Sequence, residues 1–255
     1  MKAAVHRWVV TNGAILVRGL ERRVGAASLV PNEPFLDPTS FPWTRTLEEN
    51  WAVIRGELDR ILVRHSALPN FQDISTDQRH LTSDDRWKTF FFYAYGFRAA
   101  ENCRRCPETA KVLERIPGMK TAFFSILSPG KKIPPHRGPF KGVIRAHLGL
   151  RIPTPEDACG IRVGGETRHW REGKVMVFDD TFDHEAWNLS DGLRVVLFID
   201  IVRPLRWPMR WVNAFVLKAI GWSPFVQNAA DNYQAWEREF DRTERATPAG
   251  AGPAS

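Results

Sequence analysis

The spacing of apolar residues along the chain changes twice. Between Leu47 and Arg64, Trp51, Ile54, Leu58, Ile61 and Leu62 recur at helical spacing, and Thr46, Glu48 and Glu49 suit the start of such a helix. A second helix is predicted over Cys103 to Ile116, with Pro107 tolerated in its first turns and Pro117-Gly118 stopping it. From Thr121 onward the texture becomes short runs of Phe, Val, Ile and Leu, over 122–127, 143–152, 160–163, 174–178 and 193–202, divided by Gly and Pro turns. Runs of this kind predict an antiparallel β-sandwich or barrel. After Pro204 the helical spacing returns. Pro31, Pro34, Pro38 and Pro42 make residues 1–45 an expected irregular segment, and 246–255 reads as a disordered tail. The expected architecture is mainly β with flanking helices: a helical layer over 46–119, a β-core over 120–204 and an amphipathic helical segment over 205–245.

The phase of two strands carries chemistry. In 143–152, alternation puts Arg145, His147 and Gly149 on one face and Ile144, Ala146, Leu148 and Leu150 on the other. In 193–201, Leu193, Val195, Leu197 and Ile199 share one face, opposite Arg194, Val196, Phe198 and Asp200. An arginine in so apolar a strand needs an anion. Arg194 either pairs with Asp180 or Asp200 or holds a ligand carboxylate, whose two oxygens match the guanidinium fork. Two histidines also stand out. His136 follows a stiff Ile133-Pro134-Pro135 approach and precedes Arg137-Gly138, and His184 lies in a polar patch at the end of an apolar strand. Imidazole is the commonest protein metal ligand, and Asp179, Asp180 and Asp183 are the carboxylates nearest in sequence to orient it. Spacing alone does not separate a metal pair from two ordinary loop histidines.

The composition of the 255 residues, 43% hydrophobic and 25% charged, excludes collagen-like, mucin-like and wholly disordered classes and suits one large domain with arms. The formal net charge of +7 favours nucleic acid, an anionic membrane face or anionic small molecules. No RNA-recognition or zinc-finger pattern is present, so no nucleic-acid partner is expected. Cys103-Arg-Arg-Cys106 is a lone CxxC, read as free thiols, and with Cys159 it points to a reducing, cytoplasmic compartment. No membrane span or signal peptide is expected. In the C-terminal segment, Arg203, Arg206, Arg210 and Lys218 are interleaved with Trp207, Trp211, Phe215 and Trp222. Either that helix packs its aromatic face on the β-core, or it lies at the surface of an anionic membrane.

The runs from Phe124 to Gly138, Arg145-Ala-His147-Leu-Gly-Leu150, Trp170 to Asn188, Arg194 and Asp200-Ile-Val-Arg-Pro204, preceded by Arg86-Trp87-Lys88-Thr89, closely resemble the aspartyl/asparaginyl β-hydroxylase family from about Leu47 to Pro204. The resemblance implies a double-stranded β-helix (jelly-roll, cupin-like) core and a dioxygenase using Fe(II), 2-oxoglutarate and O2. His136 and His184 match the iron ligands, Arg194 the partner of the distal carboxylate of 2-oxoglutarate, and Ser125, Arg145 and His147 the lining of the co-substrate pocket. Gly138 stands where the wider superfamily has a carboxylate ligand, an absence typical of this family and also met in iron halogenases. The resemblance implies a small-molecule, peptide or lipid substrate: foremost the β-carbon of an Asp/Asn-type residue, then a lipid A or ornithine-lipid acyl chain hydroxylated at a membrane surface. A non-catalytic jelly-roll binding protein is the remaining alternative, and oligomeric state is left open.

Overall fold

Two antiparallel sheets face one another in the computed structural model, which describes residues 18–246. The larger has seven strands in the order β1 (Phe35–Leu36), β9 (Val175–Phe178), β6 (Val143–Arg151), β11 (Arg194–Val202), β4 (Met119–Leu127), β2 (Trp87–Ala94) and β3 (Phe97–Arg98). The smaller has four, in the order β5 (Lys132–His136), β10 (His184–Asn188), β7 (Cys159–Val163) and β8 (Glu166–His169). Within β4 to β11 the chain gives β4, β6, β9 and β11 to the large sheet and β5, β7, β8 and β10 to the small one, the double-stranded β-helix arrangement.

The large sheet separates two kinds of side chain. Its outer face, with Phe90, Phe92, Phe124, Ile126, Ile144, Leu148 and Leu197, packs against Leu47, Ile54, Leu58 and Leu113 of the helices. Those helices are α2 (Trp43–Glu49), α3 (Trp51–Leu62) and α6 (Pro107–Glu114). Burying each such side chain contributes about 1.5–3 kcal/mol, so this layer anchors the sheet. The inner face turns toward the small sheet. There Trp87, Leu127, Phe178 and Val196 meet Ile133, Ile161, Val163 and Ala186 across the gap.

Several elements differ from the sequence expectation, each for a local reason. Residues 18–26 form a helix, α1, and Phe35–Leu36 adds an edge strand where an irregular segment was expected. The four prolines fall between these elements rather than inside them. The helix expected over 47–64 is two, α2 and α3, divided at Asn50, which has φ −101° and ψ 7°. The helix expected over 103–116 is likewise divided into α5 (Ala100–Arg105) and α6, because Pro107 opens α6 and cannot donate back into the preceding turn. A short helix, α4 (Phe71–Ile74), precedes β2. After β11 come α7 (Met209–Gly221) and α8 (Pro224–Ala246). Helix α7 packs on the core through Asn213, Leu217 and Gly221, whereas Trp207, Trp211, Phe215 and Trp222 are exposed. The expected tail lies outside the described residues from 247 onward. Cys103, Cys106 and Cys159 are buried and unbridged, and burial pushes all three thiols up, which suits inert core residues.

Candidate active site

His136 ends β5 and His184 begins β10, and the two are directly opposed in the antiparallel register. Their ring centroids lie 4.1 Å apart at 50°. Strand β5 tolerates Pro134 and Pro135 because it is the edge of the small sheet. Each ring is oriented by the carbonyl two residues before it: His136 Nδ1 lies 2.8 Å from the Pro134 oxygen and His184 Nδ1 2.9 Å from the Phe182 oxygen. A carbonyl can only accept, so each Nδ1 carries the proton and each Nε2 keeps its lone pair. Burial lowers the pKa of both rings, that of His184 to about 3, so both are neutral at pH 7. Two neutral imidazoles with bare Nε2 atoms on adjacent strands suit a divalent transition metal.

The carboxylates expected to orient His184 do other work. Asp179 is fully buried and binds Lys141 at 2.6 Å, Arg203, and the backbone and hydroxyl of Thr181. Asp183 pairs with Arg162 near the surface at 2.8 Å. Asp180 ion-pairs with Arg145 at 2.9 Å. No carboxylate or thiol completes a three-residue metal cluster with the histidines among the described residues. The reason is visible at Gly138, whose backbone N–H donates to the Asp180 carbonyl at 2.7 Å. A Cβ at position 138 would stand 2.0 Å from Asp180 Oδ2. The Asp180 side chain thus fills the space that a carboxylate at 138 would need. Installing that carboxylate as Gly138→Asp is expected to lower stability by about 3 kcal/mol, since overpacking adds to like-charge contact. Gly138→Ala isolates the steric part, and Gly138→Asp with Asp180→Gly restores most of the loss; thermal melts of the three variants check this.

Strand β11 presents Arg194 to the space between the sheets, with Val196, Phe198 and Asp200 on the same side. Arg194 is 1% exposed, and its Nε and one Nη have no hydrogen-bond partner. Its guanidinium stacks 4.3 Å from the Trp170 ring. Burial without a counter-anion lowers its pKa to about 9. Of the two sequence alternatives for this arginine, the pairing with Asp180 or Asp200 is taken by Arg145 instead. Its Nε and Nη2 lie 2.9 Å and 3.2 Å from the two Asp200 oxygens. Arg194 is left holding an unmet need for an anion.

His147 lies on β6 opposite Phe198. Trp170 Nε1–H donates to its Nδ1 at 3.3 Å, so the His147 proton resides on Nε2, which is buried with no acceptor. Burial, then the charges of Arg194 and Arg145, hold this ring neutral. Ser125 on β4 is opposite Val196 and accepts from Trp87 Nε1 at 3.1 Å, which leaves its own hydroxyl proton for a ligand. The structure brings Arg145, His147 and Arg194, set by strand phase, and Ser125, implied by the family resemblance, onto one face of the large sheet. The phases did not reveal Trp170, which touches both Arg194 and His147. Its traces in the sequence are a large aromatic set between His169 and Arg171 and its place at the head of the run from Trp170 to Asn188 that carries the family resemblance, neither of which assigns it a role.

The sequence matches the aspartyl/asparaginyl β-hydroxylase family over residues 48–204. It is 47% identical over 209 residues to the ornithine lipid ester-linked acyl 2-hydroxylase of Rhizobium tropici, an alignment covering 82% of this chain and 74% of that protein. It is 32% identical over 180 residues to human aspartyl/asparaginyl β-hydroxylase, covering 68% of this chain but 23% of that protein. Among solved structures, a prolyl-4-hydroxylase of Pseudomonas putida aligns with a TM-score of 0.39 at 16% identity over 60% of this chain and 88% of that one. With its family match spanning most of the chain and a close relative covered over most of its length, this chain belongs to the aspartyl/asparaginyl β-hydroxylase family.

Proposed function

We propose that this protein is an Fe(II)- and 2-oxoglutarate-dependent hydroxylase of a lipid acyl chain. The observation that carries the cofactor reading is the pairing of two cross-strand histidines, each with a bare Nε2, with a buried arginine that lacks an anion. His136 and His184 would hold the iron. Arg194 and Ser125 would hold the distal carboxylate of 2-oxoglutarate, and His147 Nε2–H and Arg145 would face the rest of the molecule. A dianion supplies the acceptors that Arg194 and His147 lack, which offsets the cost of burying them. Iron and 2-oxoglutarate, when bound, supply with O2 the oxidising power to replace hydrogen by hydroxyl at an unactivated C–H bond.

The chain's own part is positioning and exclusion. Trp170 fixes the His147 tautomer and the plane of Arg194 at once. The Pro134 and Phe182 carbonyls engage Nδ1 of both rings and so leave both Nε2 atoms free to bind. Asp180 and Asp200 hold Arg145 from two sides, so it can meet a carboxylate without reorganising. Trp87, Leu127, Phe178 and Val196 keep the space between the sheets apolar and exclude bulk water.

The 47% identity to an acyl 2-hydroxylase, over a stretch longer than the family match at 48–204, favours an acyl chain as substrate. A second reading, hydroxylation of an Asp or Asn side chain, is supported by the 32% identity to the human relative. The purified protein is expected to form succinate only when ferrous iron and 2-oxoglutarate are both present, and to add one oxygen to an acyl chain in a bacterial lipid extract by mass spectrometry. Oxygen gained by Asp- or Asn-containing peptides and not by lipid would select the second reading. Succinate formation without added or bound iron would remove the cofactor assignment.

A further inference from the structure

We infer that the exposed face of α7 is a docking surface for a membrane bearing anionic phospholipid. Nine large apolar side chains are exposed among the described residues, and five of them, Trp207, Trp211, Val212, Phe215 and Trp222, lie on or beside this one helix. Trp211, Phe215 and Trp222 follow at steps of four and seven residues, one stripe along the helix and its C-terminal cap, and Trp207 lies in the turn just before the helix. Trp207 is 74%, Trp211 63%, Phe215 71% and Trp222 67% exposed. A soluble surface rarely gathers this much aromatic area in one place without a partner.

Charge identifies the partner. From Ile201 to Ala230 the chain contains no Asp or Glu, while Arg206, Arg210 and Lys218 are exposed in the same stretch. Arg210 lies 5.3 Å from the Trp211 ring and Lys218 4.9 Å from the Trp222 ring, so cations and aromatics alternate within the stripe itself. Tryptophan with arginine or lysine is the combination that seats a helix at the headgroup level, aromatic rings among the upper acyl chains and cations on lipid phosphates. The opposite face, with Asn213, Leu217 and Gly221, is committed to the core, so only the aromatic side is available.

The same helix is fastened to the proposed metal site. Asn213 Nδ2 donates to the Gly142 carbonyl at 2.9 Å, and Phe140 packs in one cluster with Leu217. Residues 137–142 connect directly to His136. Docking through the outer face of α7 would hold this loop, which packs on the inner face, about 10 Å or one helix diameter from the bilayer. The inference deepens the acyl-chain reading and rests on it for its purpose, but binding is measurable without turnover.

The test uses the full chain, metal-free, with vesicles of phosphatidylcholine alone or mixed with phosphatidylglycerol. Sedimentation with the anionic vesicles is expected, weakening as salt rises from about 50 to about 500 mM. Arg210→Glu with Lys218→Glu, and separately Trp211→Ser with Phe215→Ser, should each reduce binding about tenfold or more. A variant with Trp207, Trp211 and Trp222 changed to Phe guards against misfolding: it keeps binding, while the quenching of tryptophan emission by brominated acyl chains seen in the wild type falls away. Equal sedimentation with neutral and anionic vesicles, wild-type binding by both double variants, or salt-insensitive self-association through this face in place of vesicle binding would overturn the proposal. Acyl hydroxylation of detergent-dispersed lipid by the double variants separates the two claims, since turnover without docking leaves the function standing.

Discussion

Replacing Arg194 by methionine is expected to make the ligand-free protein more stable and the enzyme two to three orders of magnitude less active. The guanidinium is 1% exposed with Nε and one Nη unpartnered, and its pKa is lowered to about 9, the mark of a charge held in an unfavourable medium. Desolvating a lone cation costs several kcal/mol. The contact with Trp170 at 4.3 Å returns about 2 kcal/mol, which does not cover that cost. A methionine of similar length keeps the packing, so stability should rise by about 1–3 kcal/mol, read as a melting temperature higher by roughly 2–4 °C per kcal/mol. Function moves the other way. Loss of one partner of a buried charge pair costs about 2–5 kcal/mol, so 2-oxoglutarate should no longer raise the melting temperature of the variant as it does that of the wild type. Arg194→Lys is not a conservative substitute, because a point charge cannot make the two parallel contacts of the fork. A methionine variant that is no more stable than wild type, yet still gains stability from 2-oxoglutarate, would show that Arg194 is satisfied within the protein and is not waiting for a carboxylate.

The residues that proved legible in the sequence are those on long central strands. Strands β6 and β11 are nine residues each and sit side by side in the middle of the large sheet. One face must meet the helical layer, so alternation is strict and a polar residue in the other phase has to point between the sheets. Arg145, His147, Arg194 and Asp200 could be placed on one face for that reason alone. The small sheet was harder to read. Strand β8, Glu166–His169, is exposed at all four positions, and β5 carries two prolines, so neither has an apolar phase. Strands β2 and β3 interrupt the helical layer expected over 46–119; Trp87-Lys-Thr-Phe-Phe-Phe places large aromatics in both phases and shows no alternation, because Phe90 and Phe92 meet the helices while Trp87 faces the small sheet. The role of Asp180 was illegible in principle. It depends on two connections, one after β5 and one after β9, meeting in space at Gly138, and no periodicity records such a crossing. The carbonyls that aim the histidines leave no trace in residue identity at all, since any residue at 134 or 182 has one. The family resemblance identified the two histidines, and the strand register supplied the reason that they converge.

Alanine in place of His136 or His184 is expected to weaken ferrous-iron binding at least about a hundredfold in each case, and the double variant should neither bind iron nor turn over. The two single variants should nevertheless differ in acid. His184 is 4% exposed and its pKa falls to about 3, against an ordinary value of 6.5. Between those limits the unfolded chain takes up a proton that the folded chain refuses. The wild type should therefore be most stable above pH 6.5 and lose up to about 1.4 kcal/mol per unit as pH falls toward 3, the buried His147 adding to the same trend. Removing His184 deletes its share of that slope, whereas His136, half-buried at the edge strand, should change it less. Iron competes with the same proton for the Nε2 lone pair, so metal release on acidification should follow the ring that is easier to protonate, His136, before His184. Thermal melts and iron retention measured across pH 4 to 7 on the wild type and both single variants would reveal this order. Iron binding at wild-type strength in the double variant would remove the histidines from the metal site and, with them, the reason for reading the hollow between the sheets as an oxygenase centre.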